Sequence, residues 1–184
     1  MTPPRHLDLV SHWRIAAPLA PVWAALADPA HWPLWWPAVQ RVQTLQAGAD
    51  GGVGGRQRLA WSAGGPFSGV IELETLDALP PAWLRARAGR QRAVAGRSAL
   101  QGECIWLLRA EGGSGSARDF NPITQLAPVG PVTQVTHVWR LALGAGPARW
   151  GLLALAPLLR ALHGRVMRAG ALGLARHLAD EQRP

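Results

Sequence analysis

Short alternating runs in the middle of the chain and one long helical stripe near its end dominate the pattern of apolar and polar positions. A strand-like run over residues 9–15 opens it and meets Ala17-Pro18. Beyond that, Val22, Ala25 and Leu26 sit at helical spacing with Trp23 beside them, which predicts a short apolar helix punctuated by Pro18 and Pro21. Asp28-Pro29 ends this helix and starts a second one, crowded with Trp and Pro up to Pro37. Four of the chain's ten Trp fall in this region: Trp23, Trp32, Trp35 and Trp36.

The middle of the chain reads as an antiparallel meander. Strands are predicted over 39–45, 56–62, 67–76, 83–88, 100–109 and 133–143, with Gly-rich turns over 48–55 and 64–66 and a Pro80-Pro81 break. No helical pattern interrupts them, so neighbours pair as hairpins and the sheet has one buried and one wet face. In the last strand Thr133, Val135, His137, Trp139 and Leu141 share one face, and Gln134, Thr136, Val138 and Arg140 share the other. The first set should face the core or a pocket. His137 is then either a core histidine bonded to a neighbouring strand or a pocket residue that orients or protonates a ligand.

A long helix is predicted over 152–180. Leu155, Leu159, Leu162, Val166, Gly170 and Gly173 follow spacings of three or four and make an apolar stripe, with Arg160, Arg165, Arg168 and Arg176 off it. Pro157 should kink or restart the helix. His163 flanks the stripe, which suggests a surface or rim position. Gly170 and Gly173 each cost about 1 kcal/mol of helix propensity relative to Ala, so close approach to the sheet or room for a ligand should explain them.

Three stretches together carry a resemblance: Ile15-Ala16-Ala17-Pro18, Val22-Trp23 with Leu26, and Asp28 to Pro37 with its paired Trp35-Trp36. They resemble the N-terminus of the polyketide cyclase/dehydrase and lipid-transport group of the SRPBCC superfamily, which includes START-like and birch-pollen-allergen-like domains. The resemblance runs across the whole chain and implies an α+β helix-grip fold. In that fold a curved antiparallel sheet wraps around a long C-terminal helix, with two short helices after the first strand. One domain over 1–184 is expected. The superfamily spans cyclases, aromatases, hydratases and plain carriers, so these motifs mark the fold and not the reaction. Residues 112–131 depart from the family pattern, which has a tight hairpin there. This excursion is either a lineage-specific insertion or a lid in which Phe120, Ile123 and Leu126 fold over a pocket mouth.

Composition narrows the classes. At 184 residues and 48% hydrophobic, the chain can bury a sizeable core without metals or disulfides. A single cysteine, Cys104, excludes an internal disulfide and a cysteine-based zinc site, and its place in a strand suggests a buried thiol. The net charge of +8 comes from arginines scattered along the chain, with no Lys, in a sequence rich in Ala, Gly and Pro. Arg85, Arg87, Arg90, Arg92 and Arg97 form the densest set, spaced for the outer face of strands. That reads as a solvated face and not a nucleic-acid site, with a weaker membrane-surface alternative. Neither a leader nor a stretch able to span a bilayer is seen, so a cytoplasmic monomer or homodimer without stable membrane insertion is expected.

Enzyme signatures are sparse. The Gly-rich loop over 48–56 lacks the Lys-Ser/Thr of a phosphate loop, the six His show no metal spacing, and Ser residues lack a nucleophile elbow. Glu72 and Glu74 share a strand face beside arginines and read as partners in exposed ion pairs. No cofactor or metal is implied. The helix-grip resemblance implies an elongated apolar cavity, for which Trp13, Trp61, Trp106, His137, Trp139, Leu159, Leu162 and Val166 are the candidate lining residues. The expectation is a carrier or sensor of a lipid-, sterol- or polyketide-like molecule. The alternative is a cyclase or dehydratase acting on such a ligand, with His137 the first candidate to move protons and Arg87 and Ser11 weaker ones.

Overall fold

The structure, a computed structural model, describes residues 6–65, 67–89, 92–93, 101–111, 131–143, 148–181 and 183. The first strand, β1 (His6–Ile15), turns Leu7, Leu9, Trp13 and Ile15 inward and Asp8, Val10, His12 and Arg14 outward. It starts three residues earlier than the apolar pattern suggests. His6 and Asp8 lie on the wet face, so the alternation is hidden there, but the pairing with a later strand holds as far as His6.

Pro18 stands at the N-cap of α1 (Leu19–Ala27), and the buried face of that helix is Val22 and Leu26, one turn apart. Asp28 then caps a 3-10 turn (Pro29–His31), its Oδ1 accepting from the Ala30 N–H at 3.1 Å. The turn leads into α2 (Trp32–Trp35), with Trp32 and Trp35 buried. The two short helices predicted after the first strand are both present.

The strands that follow are β2 (Val39–Gln46), β3 (Arg56–Gly64), β4 (Phe67–Leu79), β5 (Trp83–Ala88), the two-residue β6 (Arg92–Ala93), β7 (Gly102–Ala110) and β8 (Thr133–Ala142). With β1 they form one antiparallel sheet in the order β1-β8-β7-β5-β4-β3-β2, and β6 pairs with β4. β6 is too short to leave an alternation in the sequence. Register shifts at 39–41, 44–46, 62–64 and 75–77 bend the strands that carry them. The Thr133 hydroxyl, fully buried at the start of β8, donates to the Ala17 carbonyl at 2.8 Å and ties the turn after β1 to the last strand.

The wet face carries the ion pairs expected there. Arg58 meets Glu72 at 2.7 Å, Arg87 meets Glu74 at 3.5 Å, and Arg140 meets Asp8 at 3.1 Å. Pairs this exposed contribute little stability. Arg90, Arg97 and the excursion over 112–130, with its suggested lid residues, lie outside the described residues. No helix among the described residues is long and apolar enough to cross a membrane.

The C-terminal segment is two helices, α3 (Ala148–Ala154) and α4 (Ala156–Glu181), with the restart at Leu155 where Pro157 enters the first turn of α4. The buried face of α4 differs from the expected stripe. It consists of Ala156, His163, Met167, Gly170, Leu174 and Leu178, while Leu155 is 50% exposed. Leu159, Leu162 and Val166 flank that face, half-buried. The aliphatic residues mark the looser side of the helix, whereas the tight side needs residues that let an aromatic platform come close. His163 is on that tight side, 8% exposed, which corrects the surface position expected for it.

The platform is α2 and the residue after it. A Cβ on Gly170 would stand 2.7 Å from the Trp36 ring, and one on Gly173 would overlap the Trp35 carbonyl oxygen. The close approach expected of these glycines is real, but its partner is the Trp35-Trp36 pair and not the sheet. In contrast, a Cβ on Gly164 would meet nothing within 4 Å.

The two positions therefore respond oppositely to the same change. Gly164→Ala gains helix propensity and should stabilise by about 0.5–1 kcal/mol. Gly173→Ala gains the same propensity but overpacks, and should destabilise by about 1–3 kcal/mol. Urea denaturation reads both, and a stabilised Gly173→Ala would contradict the close approach.

Candidate functional site

Between the inner face of the sheet and α4 lies a cavity of about 180 Å³. Small side chains in the wall help to leave this space open. Ala63 and Ala86 occupy inward positions next to Trp61 and Leu84, and Ala38 stands just before β2, so the wall recedes at each. Large residues close the remaining sides. Trp32 and Trp36 come from the α2 region, Trp106 from β7, Trp139 from β8, and Leu159, Leu162, Val166 and Met167 from α4.

A cluster of indoles holds this wall in place. Trp36 meets Trp32 with ring centroids 5.3 Å apart, Trp35 at 5.4 Å in a stacked arrangement, Trp13 at 5.8 Å and Trp106 at 6.1 Å, both edge-on. Its own N–H donates to the Val166 carbonyl at 3.0 Å. Aromatic pairs of this geometry add about 0.5–1.5 kcal/mol each beyond the area they bury.

The polar content of the wall is small and specific. His137 from β8 and His163 from α4 stack with centroids 5.4 Å apart and planes 25° apart. The Trp106 ring lies 4.2 Å from His137, and the Trp139 ring 6.1 Å from His163. The two histidines are 5% and 8% exposed. Burial holds His137 well below the usual imidazole range, with the neighbouring His163 adding to the effect, and burial alone takes His163 down to about 4. At neutral pH both rings are uncharged, so each carries one N–H and one lone pair. His137 Nδ1 and His163 Nε2 make no hydrogen bond with a described residue, nor do the buried indole N–H groups of Trp32, Trp61 and Trp139. Buried polar atoms are normally paired, so five unpaired ones on residues that line one apolar cavity are its main chemical feature. The remaining polar lining residues are Gln57, Thr75 and Cys104, whose thiol is pushed up to about 12 by burial and is unreactive there.

Seven of the eight residues expected to line a pocket do line this one: Trp61, Trp106, His137, Trp139, Leu159, Leu162 and Val166. Trp13 does not. It sits behind the wall, edge-on to Trp36 and Trp106. Arg87 points to the wet face and pairs with Glu74, so the structure removes it from any role in the cavity. Ser11 is on the inner face of β1, opposite His137 in register, but is not part of the cavity wall. His163 was missed as a site residue, although a signal existed: it precedes Met167 by four and Gly170 by seven, and so shares their face of the helix. Among the described residues no group of three His, Cys, Asp or Glu is placed to hold a metal ion.

A family model described as polyketide cyclase / dehydrase and lipid transport matches residues 7–179. A sequence comparison with curated proteins finds no significant match. Among solved structures, a protein of Thermus thermophilus superposes with a TM-score of 0.66 at 16% identity, over 96% of this chain and 100% of that one. A START superfamily protein of Mycobacterium smegmatis gives 0.62 at 15% identity, over 96% and 99%. The Zhui aromatase/cyclase of Streptomyces sp. R1128 gives 0.61 at 17% identity, over 97% and 96%. Likeness at these identities establishes the fold.

The burial of two neutral imidazoles makes stability depend on pH. Both rings have lower pKa values in the folded chain than the 6.5 of the free side chain. As the pH drops from 6.5 to about 4, the unfolded chain therefore takes up protons that the folded chain refuses. Stability is complete above that window and lost as the pH falls through it, with His163 alone accounting for on the order of 3 kcal/mol. Urea denaturation at about pH 7 and pH 4.5 should show the loss, and His163→Leu should reduce it. An undiminished loss in that variant would mean His163 is not held neutral.

Proposed function

The chain belongs to the polyketide cyclase / dehydrase and lipid transport family, and from that premise we propose that it binds a hydrophobic small molecule in the internal cavity as a carrier or sensor. What carries this reading is the pairing of an apolar wall with neutral, unpartnered polar atoms, His137 Nδ1 and His163 Nε2 among them. Such a wall disfavours a charged group inside and favours a mainly apolar body with one or two oxygens. A carbonyl or hydroxyl of the ligand takes up hydrogen bonds that the protein leaves unmade, and the gain is larger than in water because those groups are already desolvated. Trp61, Trp106 and Trp139 supply flat surfaces suited to a ring system or an extended chain. Leu159, Leu162 and Val166 supply the opposing aliphatic face.

The second reading is a cyclase or dehydratase, and one observation favours it. His137 lines a largely apolar cavity and has a buried ring nitrogen with no described hydrogen-bond partner, a setting in which proton transfer beside a substrate carbonyl could be carried out. Against it stands the depressed basicity of both rings. Efficient acid–base catalysis wants a pKa near the working pH, and these imidazoles are held below it. They serve better as hydrogen-bonding groups than as proton carriers, so the carrier reading comes first.

Native mass spectrometry of the purified protein, followed by organic extraction, should reveal a bound apolar molecule of a few hundred daltons. His137→Phe should weaken its binding about tenfold, the worth of one desolvated hydrogen bond. Under the enzyme reading the same variant keeps affinity and loses turnover of a polyketide-like substrate. A protein that co-purifies with nothing and shows no Trp quenching by any apolar probe would overturn the cavity reading.

A further inference from the structure

A second depression, of about 310 Å³, lies on the surface where β1 runs beside α4 and is lined by Asp8, Leu9, Val10, Arg160 and His163. Leu9 and His163 line the internal cavity as well, so the two spaces share a wall made of these side chains. The chemistry of the groove differs from that of the cavity. Its rim is apolar at Val10, which is 51% exposed. Asp8 is neutralised by Arg140, whose Nε and Nη2 lie 3.1 and 3.4 Å from the two carboxylate oxygens. Arg160 makes no ion pair or hydrogen bond with a described residue. With Arg140 and Asp8 cancelling, the groove keeps one positive charge that has no partner among the described residues, beside the wall it shares with the apolar cavity.

We infer that this groove is the head-group site of an amphipathic ligand whose apolar body occupies the cavity, the Leu9 and His163 side chains between the two spaces being displaced when it binds. The inference rests on the cavity reading above and adds the chemical class of the ligand: an anionic head, carboxylate or phosphate, on an apolar body. A guanidinium is suited to such a head, because its planar N–H groups match two oxygens of a carboxylate or phosphate. Size argues the same way. The cavity alone is smaller than the roughly 300–1,000 Å³ usual for small-molecule sites, and a ligand that leaves its head in the groove uses both spaces. His163 stands in the shared wall, with an Nε2 that has no described hydrogen-bond partner available to the first polar atom below the head.

The test titrates the protein with three probes of one chain length, a fluorescent long-chain fatty acid, its methyl ester and the corresponding alkyl phosphate, following Trp quenching. The wild type should bind one or both anionic probes at least about tenfold more tightly than the ester, the worth of a charge-assisted hydrogen bond. The stronger of the two identifies carboxylate or phosphate as the head. Arg160→Ala should abolish the preference with ester binding unchanged, Arg160→Lys should retain part of it, and Arg168→Ala, elsewhere on α4, should leave it intact. Equal affinity for acid, phosphate and ester, or a preference that survives Arg160→Ala, would overturn the head-group site and leave the cavity reading standing. Binding of none of the three would overturn both.

Discussion

An indole pressed against a glycine face of a helix sets the geometry on which the rest of this molecule depends. Trp36 ends α2, donates its N–H to the Val166 carbonyl of α4 and lies where a Cβ on Gly170 would stand. The Trp35 carbonyl occupies the equivalent space at Gly173. These contacts fix the distance and rotation of α4 relative to α2. They determine that His163 and Met167 turn inward, and that Leu159, Leu162 and Val166 look into the cavity from one side. The aromatic contacts of Trp36 with Trp13 and Trp106 carry the same constraint into β1 and β7. A helix of ordinary composition would need larger side chains at this crossing and would stand farther from the platform.

The cavity is a consequence of that constraint and of the sheet beneath it. Once α2 sets how closely α4 approaches, the space between helix and sheet depends on the inward residues of the strands. Ala63 and Ala86 do not reach across. Protein interiors are otherwise packed to the density of organic crystals, so volume left next to five unpaired polar atoms has a cost that a purely structural core avoids. Apolar replacements at His137 and His163 would satisfy packing more cheaply. The pattern supports the proposed binding site over a core optimised for itself.

Much of the fold was legible from residues alone because its signals are local. Pro18, Asp28 and the Trp-rich turn mark the helices after β1, and the alternation from Thr133 to Leu141 marks which face of β8 is buried. The glycines at 170 and 173 announced a close approach. Their partner was not legible, since Trp35 and Trp36 lie more than a hundred residues away in the sequence, and so the closeness was assigned to the sheet. The same gap explains His163. Read among its neighbours, it lies beside an aliphatic stripe and suggests a rim. Only the rotation imposed by the aromatic platform makes it a buried partner of His137. Trp13 erred in the opposite sense: its inward direction was legible, but Trp36 and Trp106 stand between it and the open space. Arg87 was readable as an outward residue from the spacing of its own strand, and its pairing with Glu74 agrees with that reading.

The histidine pair also bears on how a ligand is held. Two imidazoles stacked at 5.4 Å cannot both be charged in a largely apolar surrounding without large repulsion, and burial keeps both neutral before that repulsion arises. A neutral pair can donate from one ring and accept on the other. It therefore accommodates either a hydroxyl or a carbonyl by choosing between tautomers, whereas a charged pair would only donate. This adaptability suits a protein that recognises an oxygen at a given depth without specifying the rest of the molecule, which is the requirement on a carrier. A catalyst for one reaction would need the opposite, a single protonation state poised near neutrality. The depth at which Trp36 sets α4, and with it His163, thus decides which kind of chemistry this interior can support.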